Sequence, residues 1–215
     1  MSNNALVPKQ LPEISRATGS LITRGLDQIL TETAPSADLS LHAIFTQSQK
    51  LADQGSSVEQ FFLAMHYEYG LGVIENKATA ATWYQKSAEQ GFDRAQLHLA
   101  RMYKSGDCVM QSDETAVKWY QRAAANGNAS AQYDLAYLYM AGEGVDRDDV
   151  AGVVWLQKAA DQGNHEAQSL LGGLYQFGIN VEKNALTAVY WYRKAIEQGC
   201  EQSQGSLDQL LKECK

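Results

Sequence analysis

Apolar and small residues recur along this chain at helical spacing, and the spacing itself repeats. Ala95, Leu99 and Tyr103 step by four, and Ala116, Trp119, Tyr120, Ala123 and Ala124 then run i, i+3, i+4, i+7, i+8. That rhythm belongs to an apolar stripe on one face of a helix. Each such doublet therefore predicts two helices. The doublet returns at a fixed step, because Trp83, Trp119, Trp155 and Trp191, every tryptophan in the chain, lie 36 residues apart. Gln60, Gln96, Gln132, Gln168 and Gln204 keep that step, as do Gly55, Gly91, Gly127, Gly163 and Gly199. Tyr67, Tyr103, Tyr139 and Tyr175 form a further column. Five glutamines in strict register are not a product of chance.

The breaks between helices carry their own chemistry. Asn76, Ser112, Asp148 and Asn184 can each accept a hydrogen bond from the first free amides of a helix, which places the start of each second helix there. The glycine column beginning at Gly55 marks the end of each second helix, where a left-handed residue closes the last turn at little cost. Lys86, Arg122, Lys158 and Lys194 put positive charge near that carbonyl-rich end. Gly70, Gly106, Gly142 and Gly178 end the first helices in the same manner. All three prolines, at 8, 12 and 35, precede the repeats. No strand is predicted.

One helix pair cannot bury both of its faces, so neighbouring pairs must stack, and the alanine columns let their backbones approach closely. The expected fold is all-α, a right-handed α/α superhelix. Its predicted organisation is an N-terminal extension over 1–38, a capping helix over 39–56, four 36-residue units over 57–200 and a closing helix over 201–215. The extension does not match the repeat. Ile14, Ile22, Leu26, Ile29 and Leu30 can line one helical face there, making it an extra cap or, alternatively, a segment that docks a partner.

Composition narrows the function. Eighteen Lys and Arg against twenty-five Asp and Glu leave a charge of -7, unfavourable for gripping nucleic acid phosphates or acidic membranes. The opening MSNNALVPKQLPEIS lacks the charged and apolar regions of a secretory signal, so a cytoplasmic location is expected. Cys108, Cys200 and Cys214 form no metal-type grouping and are expected as free thiols, a Cys200–Cys214 bridge being the alternative.

The wording AQYDLAYLYMAGEGVDRDD, followed by AGVVWLQKAADQG, resembles the Sel1-like repeat, a relative of the tetratricopeptide repeat. The resemblance implies a protein that assembles or regulates other proteins. Cys108 and Asn180 stand where the second glycine of the family's G-x-G loop is expected, and Leu156 stands where a tyrosine is usual. These departures put loop shape in question. The cysteine pair of some secreted, β-lactam-linked members is absent, so that activity is not carried over.

Repeated columns are expected to pack, so recognition should sit where the units differ. On the first helices, the stripe opposite the packed face runs through Val58, Phe62, Met65 and Tyr69, then Arg94, His98, Arg101 and Ser105. It continues through Ser130, Asp134, Tyr137 and Ala141, then Glu166, Leu170, Gly173 and Phe177. By analogy with related repeats it should line the concave side. The expected partner-binding set is Phe62, Met65, Tyr69, Arg94, His98, Arg101, Asp134, Tyr137, Glu166 and Phe177. Alternatively the N-terminal segment or first cap covers Phe62, Met65 and Tyr69.

No H-E-x-x-H, phosphate loop or EF-hand spacing is present, so no catalytic residue, cofactor or metal is expected. His98 with Asp134 is the one pairing that could imitate a base and its orienting carboxylate. The carboxylates of the 142–149 loop are better explained by capping than by calcium. The expected function is a non-catalytic adaptor for a protein or peptide partner, of basic character given the -7 charge. The alternatives are a dedicated inhibitor or immunity-type protein that neutralises one toxin or enzyme, and a hydrolase.

Overall fold

The computed structural model describes residues 41–213. The readings made of 1–38 and of Cys214 lie outside the described residues.

Among the described residues ten helices follow one another, each of 13 residues: α1 Leu41–Asp53, α2 Ser57–Tyr69, α3 Lys77–Glu89, α4 Asp93–Ser105, α5 Asp113–Ala125. They continue as α6 Ala129–Ala141, α7 Asp149–Asp161, α8 His165–Phe177, α9 Ala185–Glu197 and α10 Glu201–Glu213. No strand occurs among the described residues. Each helix packs mainly on its chain neighbours, with α10 also reaching α8, so the array is an α/α solenoid.

Local chemistry sets the helix ends. Asn76, Ser112, Asp148 and Asn184 accept from the N–H groups of Thr79, Thr115, Ala151 and Thr187 at the starts of α3, α5, α7 and α9. Ser56, Asn128 and Asn164 do the same for α2, α6 and α8. Phe92 stands at the start of α4 without a side-chain cap, its ring packed on Phe61 at 5.2 Å. Gly70, Gly106, Gly142 and Gly178 close the first helices in left-handed geometry.

Alanines make the close packing possible. Ala95, Ala100, Ala116, Ala123, Ala131, Ala136, Ala159, Ala167, Ala188 and Ala195 lose all contact with solvent. The tryptophans lie at the margin of this core: Trp191 is buried, while Trp83, Trp119 and Trp155 are half-buried. Lys86, Arg122 and Lys158 cover those three rings at 3.9, 4.5 and 3.9 Å. The cations near the helix ends thus also shield indole faces from water.

The glutamine column is the seam of the array. Gln60, Gln96, Gln132 and Gln168 are buried, and each Nε2 donates to the carbonyl of Ala52, Ala88, Ala124 or Ala160. These alanines are the next-to-last residues of their helices, whose carbonyls have no partner within the helix. Each glutamine carbonyl in turn accepts from a later side chain: Gln90 to Gln60, Asn126 to Gln96 and Gln162 to Gln132. The ladder stops at Gln168, whose Oε1 is buried without a donor. The fifth glutamine, Gln204, is exposed and donates to Asp208 instead.

The departures from the repeat pattern have local answers. Cys108 and Asn180 keep the left-handed turn of the missing glycine, with φ of 61° and 59°, so the loop shape survives. Gly144 cannot be replaced so freely, since a Cβ there would lie 2.5 Å from the Asp113 backbone. Leu156 is matched by an apolar neighbour: Tyr84 and Tyr192 donate to Glu68 and Gln176, whereas the corresponding Met140 packs in the cluster of Leu156.

Two stability predictions follow from these contacts. Gln132→Ala removes the side-chain donor to the Ala124 carbonyl, which keeps the Gly127 N–H, and takes away the acceptor of the Gln162 amide, and should cost about 1 to 2 kcal/mol in urea unfolding, against under about 0.5 kcal/mol for Gln204→Ala. Gly144→Ala combines a left-handed backbone with a steric clash, and the same assay should show a loss of about 2 kcal/mol or more.

Candidate functional site

The first helices of the pairs, α2, α4, α6 and α8, together with α10, present the face on which the units differ. Hydrogen bonds tie it together across units: Arg101 on α4 reaches Asp134 on α6, and Ser203 on α10 donates to Ser169 on α8.

Ten residues were expected on this face, and the structure treats them unequally. Tyr137 and Phe177 are the most open aromatics, 53% and 62% exposed, with Tyr69 also exposed. Glu166 and Arg101 are exposed, and Arg94 is half-buried. Phe62 is half-buried with its ring edge against Phe61 at 5.6 Å, and Met65 is buried at 8% exposure. The apolar end of the stripe therefore offers Tyr69 far more than Met65 to a partner.

His98 is drawn into the packing. Its imidazole stacks on Tyr84 at 5.0 Å and meets the edge of Phe61 at 5.4 Å. Burial, with a smaller contribution from the Arg101 charge, lowers its pKa from 6.5 to about 4. The Asp134 carboxylate is engaged elsewhere: Arg101 donates to its Oδ2 through Nε at 3.2 Å and through Nη2 at 3.0 Å. No hydrogen bond joins His98 to Asp134 among the described residues. The arrangement of a base with its orienting carboxylate is not assembled, because the guanidinium one turn along α4 takes the acid. Burial nevertheless raises the Asp134 pKa, with Arg101 opposing.

Two clefts open beside this pair. One of about 290 Å³ is lined by Lys104, Tyr120, Tyr133, Asp134, Tyr137 and Leu138. Burial, with the Asp134 charge beside it, pushes the Tyr120 hydroxyl well up, so it stays a neutral phenol. Lys104 is held in place by Asp113 at 3.1 Å and Glu143 at 2.5 Å. A second cleft, of about 640 Å³, lies across α6, α8 and α10, with Tyr133, His165, Glu166, Leu170 and Glu201 among its walls. Tyr133 borders both clefts.

The acidic loop 142–149 spends its carboxylates on structure. Asp148 caps α7, Asp149 accepts two bonds from Arg147, and Glu143 holds Lys104. Among the described residues no group of three or more His, Cys, Asp or Glu could hold a metal ion. No helix among them is long and apolar enough to cross a membrane. Cys108 is an exposed free thiol, and the Cys200 sulfur lies 3.2 Å from Ser203 Oγ.

One surface escaped the reading of the sequence. Val150 and Val154 on α7, and Leu186 and Tyr190 on α9, are exposed on the second helices. The signal was present in the columns, since the matching residues are Ala78 and Thr82, then Glu114 and Lys118.

With this geometry in hand, comparison with known proteins is informative. A family model described as the Sel1 repeat matches residues 60–92, 93–128, 129–164 and 165–200. No curated protein matches the chain. Among solved structures, a Sel1 repeat protein from Oxalobacter formigenes is similar, with a TM-score of 0.76 and 27% identity over 89% of this chain and 78% of that one. A protective antigen of uropathogenic Escherichia coli strains, displaying the same repeat fold, shares 31% identity at a TM-score of 0.76. That alignment covers 88% of this chain but only 42% of the antigen. An immunity protein from Pseudomonas aeruginosa has a TM-score of 0.54 at 21% identity, over 90% of this chain and 70% of that one, a likeness of fold alone.

The half-buried His98 makes stability depend on pH with a definite sign. In the window between about 6.5 and about 4 the unfolded chain takes up a proton that folded His98 refuses, so stability is lost as pH falls. The full effect is on the order of 3 kcal/mol. Asp134 and Glu68, whose pKa values are raised by burial, act in the opposite sense, so the readout is the difference between wild type and His98→Phe. Urea unfolding across this range should show a shallower acid loss in the variant.

Proposed function

The chain belongs to the Sel1 repeat family, and from that premise we propose that it is a non-catalytic adaptor holding a protein or peptide partner on the first-helix face. The observation that carries this reading is the contrast between columns. Residues repeated in every unit are consumed by packing and seam bonds, while Tyr69, Tyr137 and Phe177 remain exposed on a face where no two units match. Large aromatics beside an arginine are the residue types that dominate the energy of protein interfaces. Within the Arg101–Asp134 pair the carboxylate is largely covered while the guanidinium is 52% exposed, so the cation is the member within reach of a partner.

The face suits an extended segment or a helix lying across several units, with side chains entering the two clefts. A partner of basic character and a cytoplasmic setting belong to the same proposal. The -7 charge supports a basic partner, and such a complex weakens as salt rises.

Affinity capture from native extract tests the reading, comparing wild type with an Arg101→Ala, Tyr137→Ala double variant shown to be helical by circular dichroism. One protein held by wild type and lost by the variant is the expected result. Equal capture by both chains would move the site off this face. A single partner bound one to one, with its own activity abolished, would turn the adaptor into a dedicated inhibitor.

A further inference from the structure

The first-helix face shows within the chain itself how it treats a carboxylate. On α6, Asp134 receives the guanidinium of Arg101 from the preceding unit. Asp93, at the start of α4, receives the side-chain amide of Asn128 at 2.6 Å. The next seam has the acids without the donors. Glu166 and Glu201 both line the 640 Å³ cleft, are exposed, and enter no ion pair or side-chain hydrogen bond among the described residues. No Lys or Arg stands among the residues of that cleft, and His165 is the one member able to gain positive charge.

The shortage extends into the wall behind. Gln168 Oε1 is the one glutamine acceptor of the ladder that is buried with no donor. Its neighbour Ser169 lines the cleft, as does Gly199, next to the register partner Gln198. Glu166 and Glu201 lie in the first turns of α8 and α10. Tyr133 adds an aromatic wall, the surface on which a cation rests favourably.

We propose that the cleft between α6, α8 and α10 receives an arginine or lysine side chain of the bound partner, with Glu166 and Glu201 as its counter-charges and Tyr133 beside it. This rests on the adaptor reading and specifies the chemistry of its partner at the C-terminal end of the face. The partner's cation takes the role that Arg101 plays at the preceding seam.

The probe is a fluorescein-labelled, end-blocked peptide of alternating glycine and arginine, titrated with the full chain at low salt by fluorescence anisotropy. Its twin carries citrulline, which keeps the shape and removes the charge. Wild type should bind the arginine peptide at least tenfold more tightly than the twin. Glu166→Gln, Glu201→Gln, checked for helicity, should lose at least tenfold of that binding, as expected for two charge-assisted bonds. Asp146→Asn, Glu182→Gln removes the same charge from exposed loops and should stay within twofold. Equal loss in the two double variants, equal binding of the twin, or no binding by wild type at millimolar protein would each overturn the proposal. Partner capture that is lost with Arg101→Ala, Tyr137→Ala but kept by Glu166→Gln, Glu201→Gln also sinks it, and leaves the adaptor reading standing. If wild type captures no partner at all, the adaptor reading fails, and the peptide titration still decides the cleft.

Discussion

Ala52, Ala88, Ala124 and Ala160 each present, at the end of a helix, a carbonyl buried at the seam, and one glutamine amide per unit answers it. The tight approach that alanine allows between helices is what removes water from that carbonyl. An aliphatic side chain in place of the glutamine would fill the space but leave the carbonyl with only the backbone N–H of the following glycine, and would remove the acceptor of the later amide. The glutamine's second bond, to an amide thirty residues later, binds the same point to the next helix end. Close packing and polar satisfaction are thus one constraint, and the face proposed for partner binding rests on its regularity.

The regularity was legible. The tryptophan step, the glycines and the Asn76, Ser112, Asp148 and Asn184 caps define a helical array with no need of tertiary information, because each acts within a few residues of itself. The glutamine column was visible too, but its purpose was not. A sequence shows that a position is polar and periodic, and whether it is a surface habit or a buried bond depends on what lies eight and thirty residues away. The same holds for Leu156, whose oddness dissolves once Met140 stands beside it, and for Cys108 and Asn180, which reach a glycine's backbone angle at their own cost.

The face of the candidate site was legible and its pairings were not. Helical spacing put Arg101, Asp134 and Tyr137 on one stripe, yet it could not tell which partner Asp134 would choose. The choice of Arg101 over His98 follows from reach: a long guanidinium crosses the seam, while an imidazole finds two aromatic rings nearby. Met65 illustrates the converse, a residue on the right stripe with almost no surface to offer. The exposed Val150, Val154, Leu186 and Tyr190 were not anticipated, because the other units carry small or polar residues in their columns.

The two bonds of Gln60, Gln96 and Gln132 have fixed offsets, eight residues back and thirty forward, and this bears on how such a chain can change in length. Excision of residues 96–131 would bring Gln132 to the place of Gln96, eight positions after Ala88, with Gln162 still thirty beyond it. Every rung would close again. Loss of one residue within a helix, by contrast, would turn every later side chain of that helix by about 100° and break the rung beside it. The seam therefore acts as a reading frame for unequal recombination: whole units are interchangeable, fractions are not, and the first-helix face can be lengthened or shortened by gene duplication without redesign of its support.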